Sequence, residues 1–82
     1  MTREIRWDAR ARKDLGGLDR SVAERVASAI ERLRSGTGDV RRLEDIHPPL
    51  YRLRIGDWRV VFRVEHDAIL IVRVLPRDKA YR

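Results

Sequence analysis

The 82-residue chain contains no cysteine, which excludes disulfide bridges and any zinc site built from thiolates. Its longest uninterrupted apolar run, Ala68–Val72, is far too short to span a membrane, and no apolar signal-peptide segment follows Met1. These absences suit a reducing compartment, so we expect a cytoplasmic protein. A chain of this length buries only ~60% of its unfolded surface, and we therefore expect a single domain over residues 1–82 with one modest core.

Lysine is scarce beside arginine, and acidic residues are fewer than basic ones. The formal net charge is +6, and 17 of the 19 basic residues are arginine. Such a charge favours a polyanionic partner, which means nucleic acid, an acidic protein or an anionic membrane. Arginine suits bidentate phosphate contacts, although a GC-rich coding sequence would also explain its preference over lysine. The positions of the arginines are therefore more informative than their number.

Motifs for metal, nucleotide or nucleophilic chemistry are missing. The two histidines, His47 and His66, do not have the spacing of a metal pair, and we interpret them as loop residues rather than catalytic ones. The sequence contains no phosphate loop, nucleophile elbow or zinc motif. We expect neither a metal nor a cofactor.

The N-terminal half predicts a short strand followed by a helical hairpin. Ile5 and Trp7 alternate with polar residues, and "DARARKDLGGL" then reads as a short helix capped by Asp8 and stopped by two glycines. "DRSVAERVASAIERLRSG" is the clearest helix, and it starts either at a Ser21–Glu24 capping box or at Asp19. Its apolar stripe needs a sheet to cover it, and consists of Val22, Val26, Ala29, Ile30 and Leu33.

The C-terminal half predicts a loop over Asp39–Pro49 and then three strands. Gly56-Asp57 is a two-residue hairpin loop of type II′ between the first two strands. The third strand is apolar on both faces, which predicts an interior position with the N-terminal strand on its far side. The fold class is α+β, in the order β-α-α-β-β-β, with the helical hairpin packed on a mostly antiparallel four-stranded sheet. The three strands are Leu50–Ile55, Trp58–Glu65 and Ala68–Leu75.

Counting residue pairs across the Gly56-Asp57 turn separates two faces of the hairpin. The core face carries Tyr51, Leu53, Ile55, Trp58, Val60, Phe62 and Val64. The opposite face, called here the arginine face, carries Arg52, Arg54, Arg59, Val61 and Arg63. Arg54 lies directly opposite Arg59, which is unfavourable unless an anion relieves the repulsion. The alternative is a solvated face whose guanidinium groups spread into water, but no acidic residue interleaves with these arginines as such a face would lead us to expect.

Two segments of the C-terminal half resemble a known family. "LYRLRIGDWRVVFRV" and "ILIVRVLPRDKAYR" resemble the RelE/ParE superfamily of bacterial toxin–antitoxin systems, whose hairpin signature is "YRLRxGDYRVVY" and whose tail ends in R-x-x-x-Y. The helical hairpin matches in length and order, so the resemblance covers nearly the whole chain. It implies an acidic RelB-like antitoxin that forms a hetero-oligomer with the toxin. Two activities share this scaffold, RelE-like mRNA cleavage and ParE-like poisoning of DNA gyrase.

RelE-like members cut mRNA in the ribosomal decoding site without a metal, with the RNA 2′-hydroxyl as nucleophile. The resemblance implies catalytic roles for Arg54, Arg59, Arg77 and Tyr81. Fixed guanidinium donors would stabilise charge on the phosphoryl oxygens, and the tyrosine would stack on a base. RNA-binding roles are expected for Arg52, Arg54, Arg63 and Arg73.

The sequence departs from the ribonucleases of this group at two places. They often have lysine where this chain has Arg52 and Arg54, and many have Gly-His-Arg at Leu75-Pro76-Arg77. Arginine does not give up its proton in proteins, so the general base stays open between Asp78, Glu65 and a ribosomal group. We favour the ribonuclease over the gyrase poison, and a module that binds RNA or a partner without cleavage stays a third reading.

Overall fold

A computed structural model of the chain describes residues 3–79. The elements are β1 (Glu4–Trp7), α1 (Ala9–Gly16), α2 (Arg20–Arg34), β2 (Asp39–Arg42), β3 (Tyr51–Ile55), β4 (Trp58–Val64), β5 (Ala68–Pro76) and a C-terminal 3-10 turn (Arg77–Lys79). They form one sheet in the order β1-β5-β4-β3-β2, in which β1 is parallel to β5 and the other pairs are antiparallel. The predicted α+β class is confirmed. Within the described residues no helix has the length and apolar character needed to cross a membrane.

The two helices begin at aspartates. Asp8 caps α1 as predicted, because its Oδ1 accepts the backbone N–H of Arg10 at 2.8 Å. Asp19 occupies the N-cap position of α2, so Ser21 lies inside the helix and the capping-box alternative is wrong. The apolar stripe of α2 faces the sheet, and its buried members are Val26, Ala29 and Ile30.

The core lies between the helices and one face of the sheet. Its fully buried side chains include Leu53, Ile71, Val26 and Val60. The predicted core face of the β3–β4 hairpin is therefore confirmed except at Val64, which is 41% exposed at the far end of β4. Burial of these side chains supplies the main driving force for the fold.

The hairpin register is the predicted one. The pairs run from Ile55 with Trp58, next to the turn, to Tyr51 with Phe62. Gly56 has a φ of 55°, the positive value that the first central position of a type II′ turn requires. β5 lies between β1 and β4, which confirms its interior position.

The predicted loop over Asp39–Pro49 and the four-stranded sheet are wrong, because residues Asp39–Arg42 form a fifth strand. This strand, β2, pairs with β3 at the edge of the sheet. All its residues are exposed, so the sequence lacks the apolar alternation that reveals a half-buried strand. It forms by satisfying backbone groups along the edge of β3. The loop that follows is closed by a hydrogen bond from the Leu43 N–H to the Leu50 carbonyl at 2.9 Å.

A bulge in β5 determines where Arg73 lies. Val61 pairs with Arg73 while Phe62 pairs with Ile71, which leaves Val72 as an extra residue. The Arg73 guanidinium bonds the Asp14 carboxylate of α1, through Nε at 2.8 Å and Nη2 at 3.2 Å. The Val74 N–H also donates to Asp14 Oδ2, at 2.9 Å. Asp14 thus fastens α1 to the part of β5 that extends beyond β1.

The Asp14 contact predicts a pH-dependent stability. Burial raises the pKa of Asp14, but the hydrogen bonds from Arg73 and Val74, with the attraction of Arg73 and Arg10, together hold this pKa below its usual value. A pKa that is lower in the folded state gives stability that is present above the unfolded pKa of about 3.9 and is lost as pH falls through the folded pKa. Asp14→Asn is therefore expected to lower the free energy of unfolding by about 2 kcal/mol at pH 7. The measurement is a urea unfolding curve monitored through tryptophan fluorescence.

Glu24→Gln is the control for this experiment. Glu24 pairs with Arg20 on the surface at 3.2 Å, with 69% and 94% of the two side chains exposed, and its loss should cost about 0.5 kcal/mol or less. The difference in the free energy of unfolding between the native chain and Asp14→Asn should narrow below about pH 4, because the native carboxylate then takes up a proton. If this difference in unfolding free energy were equal at pH 7 and at low pH, Asp14 would stabilise the fold through its packing rather than through its charge.

Candidate functional site

The arginine face is the side of the sheet opposite the helical hairpin. β2 extends it, because Arg41 pairs with Arg52 and Asp39 pairs with Arg54. The expectation that no acidic residue interleaves with the arginines is therefore wrong. The sequence offered no signal for Asp39, since its strand looked like a loop.

Arg59 is held inside the hairpin rather than in water. Only 6% of the residue is exposed. Its Nη1 donates to the carbonyl of Gly56 at 2.7 Å and to the carbonyl of Trp58 at 2.9 Å. The turn that pairs β3 with β4 thus also fixes the position of this guanidinium group.

Arg52 is held in a similar way by the edge strand. It is 7% exposed, and its Nη1 lies 3.2 Å from the Asp39 carbonyl and 3.7 Å from the Asp39 Oδ1. Arg54 is exposed between Asp39 and Arg59. For Arg52 and Arg59 the alternative of guanidinium groups that spread into water is wrong.

Three guanidinium groups of this face keep a donor without an acceptor. The Nε atoms of Arg52, Arg59 and Arg63 are buried and have no hydrogen-bond partner among residues 3–79. A buried donor left without an acceptor costs about 1–3 kcal/mol, so each such group in a native structure needs an explanation. Because these Nε atoms are enclosed by the protein, they mark three guanidinium groups packed against the sheet rather than contacts open to an incoming anion.

The C-terminal 3-10 turn lies against the hairpin turn. The Arg77 N–H donates to the Asp57 carbonyl at 2.8 Å, and Arg59 lies across from Leu75, two residues before Arg77. Arg54, Arg59 and Arg77 therefore lie at one end of the sheet, and we call them the hairpin-end group. Arg54 and Arg77 are exposed.

The remaining predicted site residues lie elsewhere. Arg63 pairs with Leu70, four residues along β4 from Arg59, which is ~13 Å at ~3.3 Å per residue. Arg73 is engaged by Asp14, so its expected RNA-binding role stays a prediction beside an observed structural one. Tyr81 lies outside the described residues.

The carboxylates proposed as general base are at opposite ends of the sheet. Glu65 follows β4 at the end away from the hairpin turn, where its carbonyl accepts from Arg3 Nε at 3.2 Å. Asp78 is exposed beside Arg77, and Asp39 lies opposite Arg54. Both histidines are exposed in loops, and residues 3–79 contain no group of three side chains placed to hold a metal ion.

These features define a class of protein: a small basic domain whose sheet carries ordered guanidinium groups on the face opposite its helices. The family model described as ParE toxin of type II toxin-antitoxin system, parDE, matches residues 5–81, and the chain belongs to this toxin family.

Individual relatives place the chain in the wider RelE/ParE superfamily. Toxin RelE3 of Methanocaldococcus jannaschii is 28% identical over 75 residues, which cover 84% of each chain. A chain of the archaeal RelE-RelB complex from Pyrococcus horikoshii OT3 is 28% identical with a TM-score of 0.77, covering 98% of this chain and 100% of that one. A chain of the RelB-RelE antitoxin–toxin complex from Methanococcus jannaschii is 25% identical with a TM-score of 0.75, covering 93% and 94%. The resemblance seen in the sequence is confirmed.

Proposed function

We propose that this toxin is a RelE-like, ribosome-dependent endoribonuclease that cleaves mRNA in the decoding site by metal-independent attack of the 2′-hydroxyl. The observation that carries the proposal is the hairpin-end group. Arg59 is immobilised by two backbone carbonyls, exposed Arg54 lies opposite it, and exposed Arg77 follows β5 at the same end of the sheet. This combination offers one fixed donor and two that can follow the phosphate.

The chemistry needs charge stabilisation more than it needs a nucleophile from the protein. In-line attack by the 2′-hydroxyl builds negative charge on the phosphoryl oxygens and breaks the bond to the 5′-oxygen of the next nucleotide. A guanidinium already held in place stabilises this charge without reorganising during the reaction. Arg59 has this role, and Arg77 and Arg54 complete the contact from solvent.

RNA on either side of the scissile phosphate would meet the other arginines of this face. Arg52 is two residues from Arg54 along β3, ~7 Å, and Arg63 lies farther along β4. They are suited to flanking phosphates. Tyr81 keeps its proposed role of stacking on a base.

A base must still accept the proton of the 2′-hydroxyl. Asp39 and Asp78 lie at the hairpin end, whereas Glu65 does not. We therefore propose that Asp39 or Asp78 accepts the proton of the 2′-hydroxyl, with a ribosomal group as the alternative acceptor.

The partner of the resting toxin is proposed to be an acidic antitoxin. Two relatives of known structure were solved as RelE-RelB complexes, those from Pyrococcus horikoshii OT3 and Methanococcus jannaschii. Carboxylates from such a partner would pair with the exposed guanidinium groups of Arg54 and Arg77 and would cover the arginine face.

Gyrase poisoning is the second candidate, and the matching family model favours it because that model describes ParE toxins. Arginine at positions where the ribonucleases often carry lysine supports the same reading. A gyrase poison would use the basic surface for docking and would not need Arg77 beside Arg59.

The two candidates separate when the chain is induced in growing cells without an antitoxin. Incorporation of labelled methionine should stop before that of labelled thymidine, mRNA should be cut, and a DNA-damage reporter should stay silent. Purified protein should leave gyrase supercoiling unaffected. A DNA-damage response with intact mRNA would overturn the ribonuclease in favour of gyrase.

A further inference from the structure

A cleft of about 610 Å³ lies between α1 and the C-terminal end of β5. Its volume is in the range of sites that hold small organic groups. Trp58, Leu75, Pro76 and Leu18 give it an apolar floor, and the Trp58 side chain is half-buried. None of Arg52, Arg54, Arg59 and Arg63 lines it, so it is distinct from the arginine face, although Trp58 and Pro76 bring it next to the hairpin-end group.

The rim of this cleft is positively charged. Arg10 and Lys13 are three residues apart and so share one side of α1, and Lys79 approaches from the 3-10 turn. All three are exposed, and none forms an ion pair within residues 3–79. The carboxylate in the cleft, Asp14, is paired with Arg73, so these two charges offset each other and the charges of Arg10, Lys13 and Lys79 remain in excess.

We propose that the α1–β5 cleft is a second RNA-binding site, which takes one unpaired nucleotide with its base on the Trp58 ring and its phosphates on Arg10, Lys13 and Lys79. An aromatic face among cations is the arrangement by which proteins hold single strands without reading sequence. The proposal rests on the proposed function in one respect, since it needs the chain to bind RNA.

Continuity with the hairpin-end group favours RNA over an acidic peptide as the occupant. The 3-10 turn carries Arg77 at its start and Lys79 at its end. Arg77 belongs to the hairpin-end group, whereas Lys79 lines the cleft. One strand of RNA bound at the hairpin end therefore reaches the cleft within a short span of nucleotides.

Helix α1 supplies a matched pair of variants. Arg10 and Arg12 are both exposed arginines of this helix, but they are two residues apart, which is ~200° around its axis. Arg10 lines the cleft and Arg12 does not. Arg10→Gln and Arg12→Gln thus change the net charge equally and differ only in the side of the helix.

The first measurement is binding of a labelled single-stranded RNA oligonucleotide to the full chain over a range of salt concentrations. Arg10→Gln and Lys13→Gln should each weaken binding about 5-fold at low salt. Each should also reduce the slope of log K against log salt by about 0.7, the value for one phosphate contact on a single strand. Arg12→Gln should leave both quantities unchanged. Equal losses in Arg10→Gln and Arg12→Gln would overturn the site, because only net charge would then matter.

The second measurement reports on the base. In a Trp7→Phe background Trp58 is the remaining tryptophan, and its emission should be quenched by RNA, less so with Arg10→Gln. RNA binding without any change in this emission would overturn the proposal. So would a loss of acidic-peptide binding in Arg10→Gln with RNA binding intact, since the cleft would then take a protein. Crosslinking of Trp58 on translating ribosomes supports the site with either source of RNA, and sequencing the adduct identifies it as mRNA or rRNA.

The two proposals fail in different ways. If the native chain cleaves mRNA but Arg10→Gln weakens RNA binding no more than Arg12→Gln does, the cleft is rejected as an RNA-binding site and the ribonuclease proposal stands. If RNA binding depends on Arg10 but no mRNA is cleaved, the ribonuclease proposal is rejected and the RNA-binding cleft stands.

Discussion

Arg77→Ala is expected to slow mRNA cleavage by about 10²–10³-fold while leaving the free energy of unfolding unchanged. The side chain is exposed, and the bond that fixes this turn is made by the backbone N–H, which alanine retains. The loss therefore falls on the charge of the transition state rather than on the fold. The measurement is the single-turnover cleavage rate on ribosomes, with a urea unfolding curve of the same preparation.

Arg20→Ala is the control for the change of net charge. Arg20 is the first residue of α2 and its side chain is 94% exposed. Both variants lower the net charge by one, so a general loss of attraction to the ribosome would slow them equally. Full-strength cleavage by Arg77→Ala would remove this residue from the mechanism.

Arg59→Met should lose cleavage by a similar factor and should also lose stability. Methionine keeps most of the buried stem but removes the donors to the carbonyls of Gly56 and Trp58, which costs about 1–2 kcal/mol. Relief of the repulsion with Arg54 returns less than about 1 kcal/mol, so the net change is destabilising. The cleavage rate and the unfolding midpoint are measured on the same preparation.

Arg63→Met is the comparison variant for Arg59, because it lies on the same strand and face but at the other end of the sheet. It should weaken RNA binding a few-fold with little effect on the rate of the chemical step. Arg59→Lys should not rescue cleavage, since a point charge does not reproduce a planar guanidinium held by two carbonyls. Equal rates for Arg59→Met and Arg63→Met would show that the arginine face binds but does not catalyse.

Local patterns were sufficient to predict the hairpin. The Gly-Asp turn fixes which residues of β3 and β4 face each other, and alternation then assigns Leu53 and Val60 to the core and Arg54 and Arg59 to the opposite face. Both results depend on neighbours in sequence, which is why a single chain was enough to obtain them.

Contacts between distant segments were not accessible in this way. β2 exists because the edge of β3 offers backbone partners, and its own residues carry no apolar alternation. The bulge at Val72 depends on how β5 fits β4, and the Asp14–Arg73 pair joins residues 59 positions apart. Each of these features arises from tertiary packing that propensity and spacing do not encode.

The same limit applies to the candidate site. The sequence predicted which arginines share a face, and the residue types that could stabilise a phosphate. It did not predict that Arg59 would be buried against the carbonyls of its own turn, or that Asp39 would lie opposite Arg54. Those facts decide which guanidinium is fixed and which are free to move.

The activity of the hairpin-end group is tested with purified chain, translating ribosomes loaded with a defined mRNA, and primer extension to map the mRNA ends. Free mRNA and Arg77→Ala run in parallel. A ribosome-dependent ribonuclease should cut the mRNA within the decoding site on ribosomes only, and this cut should be absent with Arg77→Ala. No cut by protein shown to be folded, or a cut of equal strength with Arg77→Ala, would contradict the ribonuclease proposal and would leave the arginine face as a docking surface.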